Sequence, residues 1–255
     1  MIIAHLTRDT RSLLTCTLTC YSWYIIAVPH LHHTLIVSTP GFESVGRKLS
    51  WPKPLVRGHE LGLLPLVKEF RVRAFSRGGE GFSPERFNRS TLRQFSALTN
   101  VRELWIETLN IPKFMRRVQK YFGHFLPTVR SLALDEPKGS HRQVLHFIGQ
   151  FRHLDDLKLL FSPYRPNFQE GQADDLELIP PFAPPLRGRL TMRYSKKVEL
   201  VKDMIELFGG IRFHSMDLLD VNGMRLLLHG CVETLEILRL RPNDPRCGWL
   251  PPKGV

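Results

Sequence analysis

The residue types best suited to chemistry in this 255-residue chain are its four cysteines and the histidines near two of them. Cys16 and Cys20 are four apart, a spacing that shares one helix face, and His30, His32 and His33 come next. A zinc site takes closer cysteine pairs and a defined histidine pair. His32 and His33 are adjacent, so their side chains diverge, and the pattern predicts core or surface residues rather than metal ligands. The stretch GFESVGRK, Gly41 to Lys48, approaches a phosphate-binding loop. Arg47 stands where lysine is required and Lys48 where Ser or Thr would hold magnesium. Trp51-Pro52 stands where a helix must begin, so the stretch reads as a connecting loop. Asp155-Asp156 and Asp174-Asp175 are adjacent carboxylates that read as surface turns. No nucleophile elbow, HExxH or paired-carboxylate arrangement is present. These residues predict no catalysis by this chain alone and no cofactor.

The elements that would position side chains are written repeatedly. The pattern apolar-x-x-apolar-x-apolar occurs as VKEFRV at Val67, VRELWI at Val101, VRSLAL at Val129, LDDLKL at Leu154, FHSMDL at Phe213 and VETLEI at Val232. A looser copy, LRGRLTM at Leu186, has one extra residue, and HHTLIV around Leu35 reads as an earlier, degenerate one. The central residues Phe70, Leu104, Leu132, Leu157, Leu190, Met216 and Leu235 are 34, 28, 25, 33, 26 and 19 apart. A leucine-rich repeat has a period of about 20–29 residues, and the two long gaps call for insertions. Helix-like segments lie between the copies: residues 83–98, 111–126, 140–151 and 196–210, the last closing on Gly209-Gly210. The Pro- and polar-rich stretch 162–188 reads as an extended loop. The competing architecture is an ordinary α/β domain with a covered parallel sheet, but such strands read as continuous apolar runs. These strands alternate. The expected fold is therefore α/β, an irregular leucine-rich-repeat-like solenoid of strand–helix repeats over residues 35–241. Residues 242–255 predict a flexible tail.

Composition bounds the function. Hydrophobic residues make up 42% of the chain, enough for a sizeable core. No apolar run approaches the 18 or so residues of a membrane span, and Met1 to Thr10 lacks the pattern of a signal peptide. Few cysteines fit a reducing compartment, cytoplasmic or nuclear. The formal net charge is +12, and Arg71 to Arg130 holds 12 Lys/Arg against 4 Asp/Glu. Such a stretch attracts acidic partners, so a basic nucleic-acid-binding protein using the Arg71–Arg130 region is the alternative reading.

Residues 1–34 differ from the rest, with a helical pattern ending at Pro29. The segment SLLTCTLTCYSWYIIAVPHLHHTLIV resembles the second half of an F-box, as it occurs ahead of degenerate leucine-rich repeats in fungal proteins. The resemblance rests on Leu13-Leu14, on Cys20 with Trp23, and on Pro29 to Val37 leading into the first strand. The Leu-Pro pair that opens the family's motif has no counterpart here. The resemblance implies a short helical N-terminal F-box-like segment that docks a ubiquitin-ligase adaptor subunit. It also implies a substrate-receptor role in a cullin–RING (SCF-type) ubiquitin ligase, with the repeats holding a protein substrate. By carry-over, Ile3, Leu6, Leu13, Leu14 and Leu18 belong to the adaptor-facing patch, while Trp23 supports the fold.

In such a solenoid, residues between the strand leucines face a partner. Arg71, Arg73, Glu103, Trp105, Glu107, Lys158 and Arg193 are the expected binding residues, with Asp135, Asp217 and Glu236 in equivalent places. Trp105 has the chemistry of a hot spot, since aromatic residues and arginine dominate such sites.

Overall fold

Leu35, Phe70 and Leu104 come from three parts of the chain about 35 residues apart, yet they occupy one register position of three neighbouring parallel strands. Leu157, Leu190, Met216 and Leu238 do the same later in the chain. The computed structural model describes residues 9–39, 58–74, 95–108, 111, 123–124, 126–162, 185–195 and 197–241. The architecture is mixed α/β. Eight strands are hydrogen-bonded in chain order: β1 (Thr34–Thr39), β2 (Glu69–Ala74), β3 (Glu103–Glu107), β4 (Ser131–Asp135), β5 (Asp156–Leu160), β6 (Leu186–Arg193), β7 (Ile211–Leu219) and β8 (Ile237–Leu240). The chain divides into two compact units, Met1–Leu132 and Ala133–Val255.

In the first unit, helices α1 (Thr10–Thr19) and α2 (Tyr21–Leu31) precede the strands. Asp9 caps α1 by accepting from the amides of Arg11 and Ser12, which satisfies two of the orphan donors at a helix start. Cys20, in an extended conformation, separates the helices. Pro29 does not end the helical run as its type suggests. It lies inside the last turn of α2, which continues to Leu31 and closes through the His32 amide on the Val28 carbonyl.

The leading valine of each copy is buried just ahead of its strand: Val67, Val101 and Val129. Each comes after a 3-10 turn, Leu64–Leu66, Phe95–Ala97 and Leu126–Thr128. Paired amides then hook each copy to the one before. Lys68 and Glu69 both donate to the His33 carbonyl, Arg102 and Glu103 to Lys68, and Arg130 and Ser131 to Arg102, all at 2.7–3.0 Å. Side chains add a second tie: Asn100 donates to the Pro65 carbonyl and Thr128 to that of Val101. The helical segments expected over 83–98 and 111–126, and the loop expected over 162–188, lie almost wholly outside the described residues, as does the 242–255 tail.

In the second unit, α3 (His141–Gly149), α4 (Val198–Leu207) and α5 (Met224–Gly230) bury apolar faces. Ser140 and Gln143 form a capping box at the start of α3. After α4 the chain turns through Gly209 and Gly210, both at positive φ, where the Gly210 amide returns to the Ile205 carbonyl. The extra residue of the LRGRLTM copy shows as a register step between Gly188 and Arg189. The last copy is phased differently from its sequence reading. Met216 pairs with Leu238 and not with Leu235, because the chain is still in a turn there, with the Leu235 amide on the Cys231 carbonyl.

Candidate binding face

Strand alternation sends Leu104 and Ile106 inward and leaves Glu103, Trp105 and Glu107 on the other side of β3. The register carries this through the first unit. Thr34, Glu69 and Glu103 form one row across β1–β3, and Ile36, Arg71 and Trp105 form the next. Arg73 sits one row on, opposite Ser38. Arg71, Glu103, Trp105 and Glu107 therefore share one sheet face.

Their chemistry is mutual rather than separate. The Arg71 Nε donates to Glu69 Oε1 at 2.5 Å, and the Thr34 hydroxyl donates to Glu69 Oε2 at 2.7 Å. Burial pushes the Glu69 carboxyl up, but the hydrogen bonds from Thr34 and Arg71 and the charges of Arg71 and His33 outweigh it. The net effect holds Glu69 below the ordinary carboxylate value. The Arg71 guanidinium carbon lies 5.3 Å from the centre of the Trp105 ring, within cation–π range. Trp105 is half-buried, and its indole N–H is buried without an acceptor among the described residues. Glu103 is exposed, and its amide donates to the Lys68 carbonyl at 2.9 Å.

The second unit carries the other predicted residues on a face of its own. Lys158 pairs with the buried Asp156 at 3.0 Å, and Arg189, the register partner of Asp156, approaches the same carboxylate at 3.9 Å. Arg193 ends β6 with a buried Nε that lacks a partner among the described residues. Asp217 is held by a fork of Arg241, at 2.9 and 2.6 Å. Sequence reading missed Asp156, Arg189 and Arg241 as members of these pairs. The alternation that finds Lys158 also marks Asp156 and Arg189, whereas Arg241 lies beyond its strand.

The helical pair is a second surface. The sequence reading sets Leu13 beside Leu14 and Leu18 on a partner-facing patch. In the structure Leu13 is only 1% exposed, packed with Cys16 and Ala27, so it builds the pair instead of presenting a surface. Leu14 and Leu18 are exposed, Leu18 by 87%. Trp23, expected to support the fold, is exposed too, with Tyr21, Tyr24 and Ile25. The near-continuous apolar run YSWYIIAV carried that signal, since a short helix cannot bury every side. Ile3 and Leu6 lie outside the described residues.

Among the described residues no group of three or more His, Cys, Asp or Glu is placed to hold a metal, and no helix is long and apolar enough to cross a membrane. Cys16, Cys20 and Cys231 are free thiols; burial pushes that of Cys231 up, and its sulfur accepts the Phe213 amide at 3.4 Å. No protein-family model matches this sequence, and no curated protein matches it.

Proposed function

We propose that this chain is a protein-interaction module, a leucine-rich-repeat-like solenoid behind an F-box-like helical start, serving as substrate receptor of a cullin–RING ubiquitin ligase. The observation that carries the reading is the order of the strands. Parallel strands hydrogen-bonded in chain order, with equivalent leucine-type positions in register and paired amides hooking one copy to the last, are what stacked strand–turn–helix repeats produce. Such stacks present one strand face to a partner, and here that face holds a stacked Arg71–Trp105 pair of hot-spot chemistry.

The helical pair supports the adaptor half. Leu14, Leu18, Tyr21, Trp23, Tyr24 and Ile25 are exposed on two short helices, and apolar side chains concentrated in this way mark interaction sites. Ubiquitin transfer belongs to the partner subunits.

The experiment is capture of the full chain on purified adaptor subunit, with wild type compared with a Leu14→Asp/Leu18→Asp variant. Both leucines are exposed, so the variant keeps its fold and loses retention. Leu13→Asp serves as the folding control, because a charge at that buried position disrupts the pair itself. Absence of retention by the wild type sinks the ligase role.

A further inference from the structure

We infer that the strand face of the second unit takes an acidic segment of a partner protein, whose carboxylates are received by arginines of β6, β7 and β8. The inference rests on the strand face being the recognition surface of the proposed receptor, and it names the chemistry of what is recognised.

Register lays the charges of four strands side by side. Arg187 of β6 is the partner of Arg212 on β7, and both are exposed. The next row holds Asp156, Arg189, Ser215 and Ile237. The row after it holds Lys158, Thr191, Asp217 and Arg239. Arg193 ends β6 between Leu160 and Leu219. The alternate residues Leu157, Leu190 and Met216 are buried, so these rows form the opposite face. Strands β5 to β8 contain six Lys/Arg and two Asp, three to one, against 36 to 24 in the whole chain. The excess is therefore local and not a sample of the net charge.

Both aspartates of the face are already occupied. Asp156 is paired with Lys158 and Arg189, and Asp217 takes the fork of Arg241. The side chains of Arg187, Arg193, Arg212 and Arg239 have no carboxylate partner among the described residues. Arg193 is half-buried as well, with its Nε unpartnered there. A partly desolvated guanidinium without a counter-charge is costly, and an incoming carboxylate relieves that cost. Arginine also offers a carboxylate two parallel N–H groups.

The extent of the patch selects the ligand class. The four arginines span two inter-strand steps, about 10 Å, and about 20 Å along β6. That is too wide for one small anion and suits a length of chain. An extended peptide repeats its same-side residues about every 6.7 Å, as do Arg187, Arg189, Thr191 and Arg193 along β6. Acidic side chains at every second residue therefore meet the column in step. A duplex is served less well, because it carries one charge per ~1.7 Å of axis and brings phosphates over Asp156 and Asp217. A peptide can set neutral residues there.

The test is a titration of the full chain, read by anisotropy, with a short dye-labelled peptide alternating glutamate and serine. Its lysine–serine counterpart and a labelled single-stranded oligonucleotide of the same charge as the glutamate peptide are titrated beside it. The glutamate peptide binds most tightly of the three, and more weakly as salt rises. Arg187→Gln/Arg212→Gln, at exposed positions, weakens it roughly tenfold, the size expected when two exposed charge partners are lost together. Lys202→Gln/Arg225→Gln removes the same charge from exposed positions on α4 and α5 and leaves binding unchanged. Equal weakening by the two variants, unaltered binding by the first, or tighter binding of the lysine peptide or the oligonucleotide overturns the inference. Thermal melts confirm that both variants are folded. Adaptor capture through Leu14 and Leu18 is a separate readout. Its loss with peptide binding intact removes only the ligase role, and the reverse outcome removes only this inference.

Discussion

Glu69 carries a load that its neighbours do not share. Its carboxylate joins β1 to β2 through Thr34 and anchors Arg71 over Trp105. Its folded-state value lies below the ordinary 4.5. A depressed carboxylate stabilises the fold above its unfolded value, and that stability is lost as pH falls through the folded value. Glu69→Gln keeps the shape and removes the titration. At neutral pH the variant melts below the wild type. As pH falls below 4.5 the gap closes, because protonation deprives the wild type of the same charge. Thermal melts at a series of pH values check this, and a gap that is constant with pH would show that the contribution of Glu69 is not electrostatic. The sequence made Arg71 and Trp105 visible as face residues through alternation. It could not show that Glu69 ties them together, since that depends on which strands become neighbours.

At the scale of elements, the strands were the most legible part and their phase the least. Central residues Phe70, Leu104, Leu157, Leu190 and Met216 stand where the repeated pattern sets them. VETLEILRL satisfies the pattern twice, from Val232 and again from Leu235, and only the turn after α5 decides for Leu238. The strand ends were illegible for another reason. Thr108, Glu136, Tyr194 and Asp220, each one residue past its strand, take positive φ, a conformation whose usual markers are Gly and Asn. Here backbone hydrogen bonds to the next copy hold it, as the Glu136 amide does on Leu160 and the Tyr194 amide on Leu219. Gly188 is the opposite case, a glycine whose type is required. Its φ is 90°, and a Cβ there would lie 2.1 Å from the Asp155 carbonyl oxygen. That carbonyl accepts the Arg189 amide at 2.8 Å and so helps to set the β5–β6 register. Gly188→Ala combines backbone strain with a backbone clash and is expected to cost roughly 3 kcal/mol or more. Chemical denaturation measures it, and a loss under about 1 kcal/mol would mean that the strands part without consequence at this point.

At the scale of the whole molecule, the question is what the charge of +12 does. The Arg71–Arg130 excess supports a nucleic-acid reading only if those arginines are available to phosphates. Among the described ones, Arg102 is exposed, whereas Arg71 is committed to Glu69 and Trp105. In the second unit Arg241 is committed to Asp217. Charge dispersed over a surface and partly neutralised by local carboxylates gives attraction without register. Such attraction is weak and steeply dependent on salt, because each phosphate contact releases counterions and affinity falls with a slope of about −0.9 per contact for duplex DNA. The expected outcome is duplex binding at low ionic strength that disappears near physiological salt and is indifferent to sequence. Filter binding at several salt concentrations reads it directly. Affinity that persists at physiological salt, or that distinguishes one sequence from another, requires base or shape contacts and would transfer the leading role from the strand face to the basic stretch.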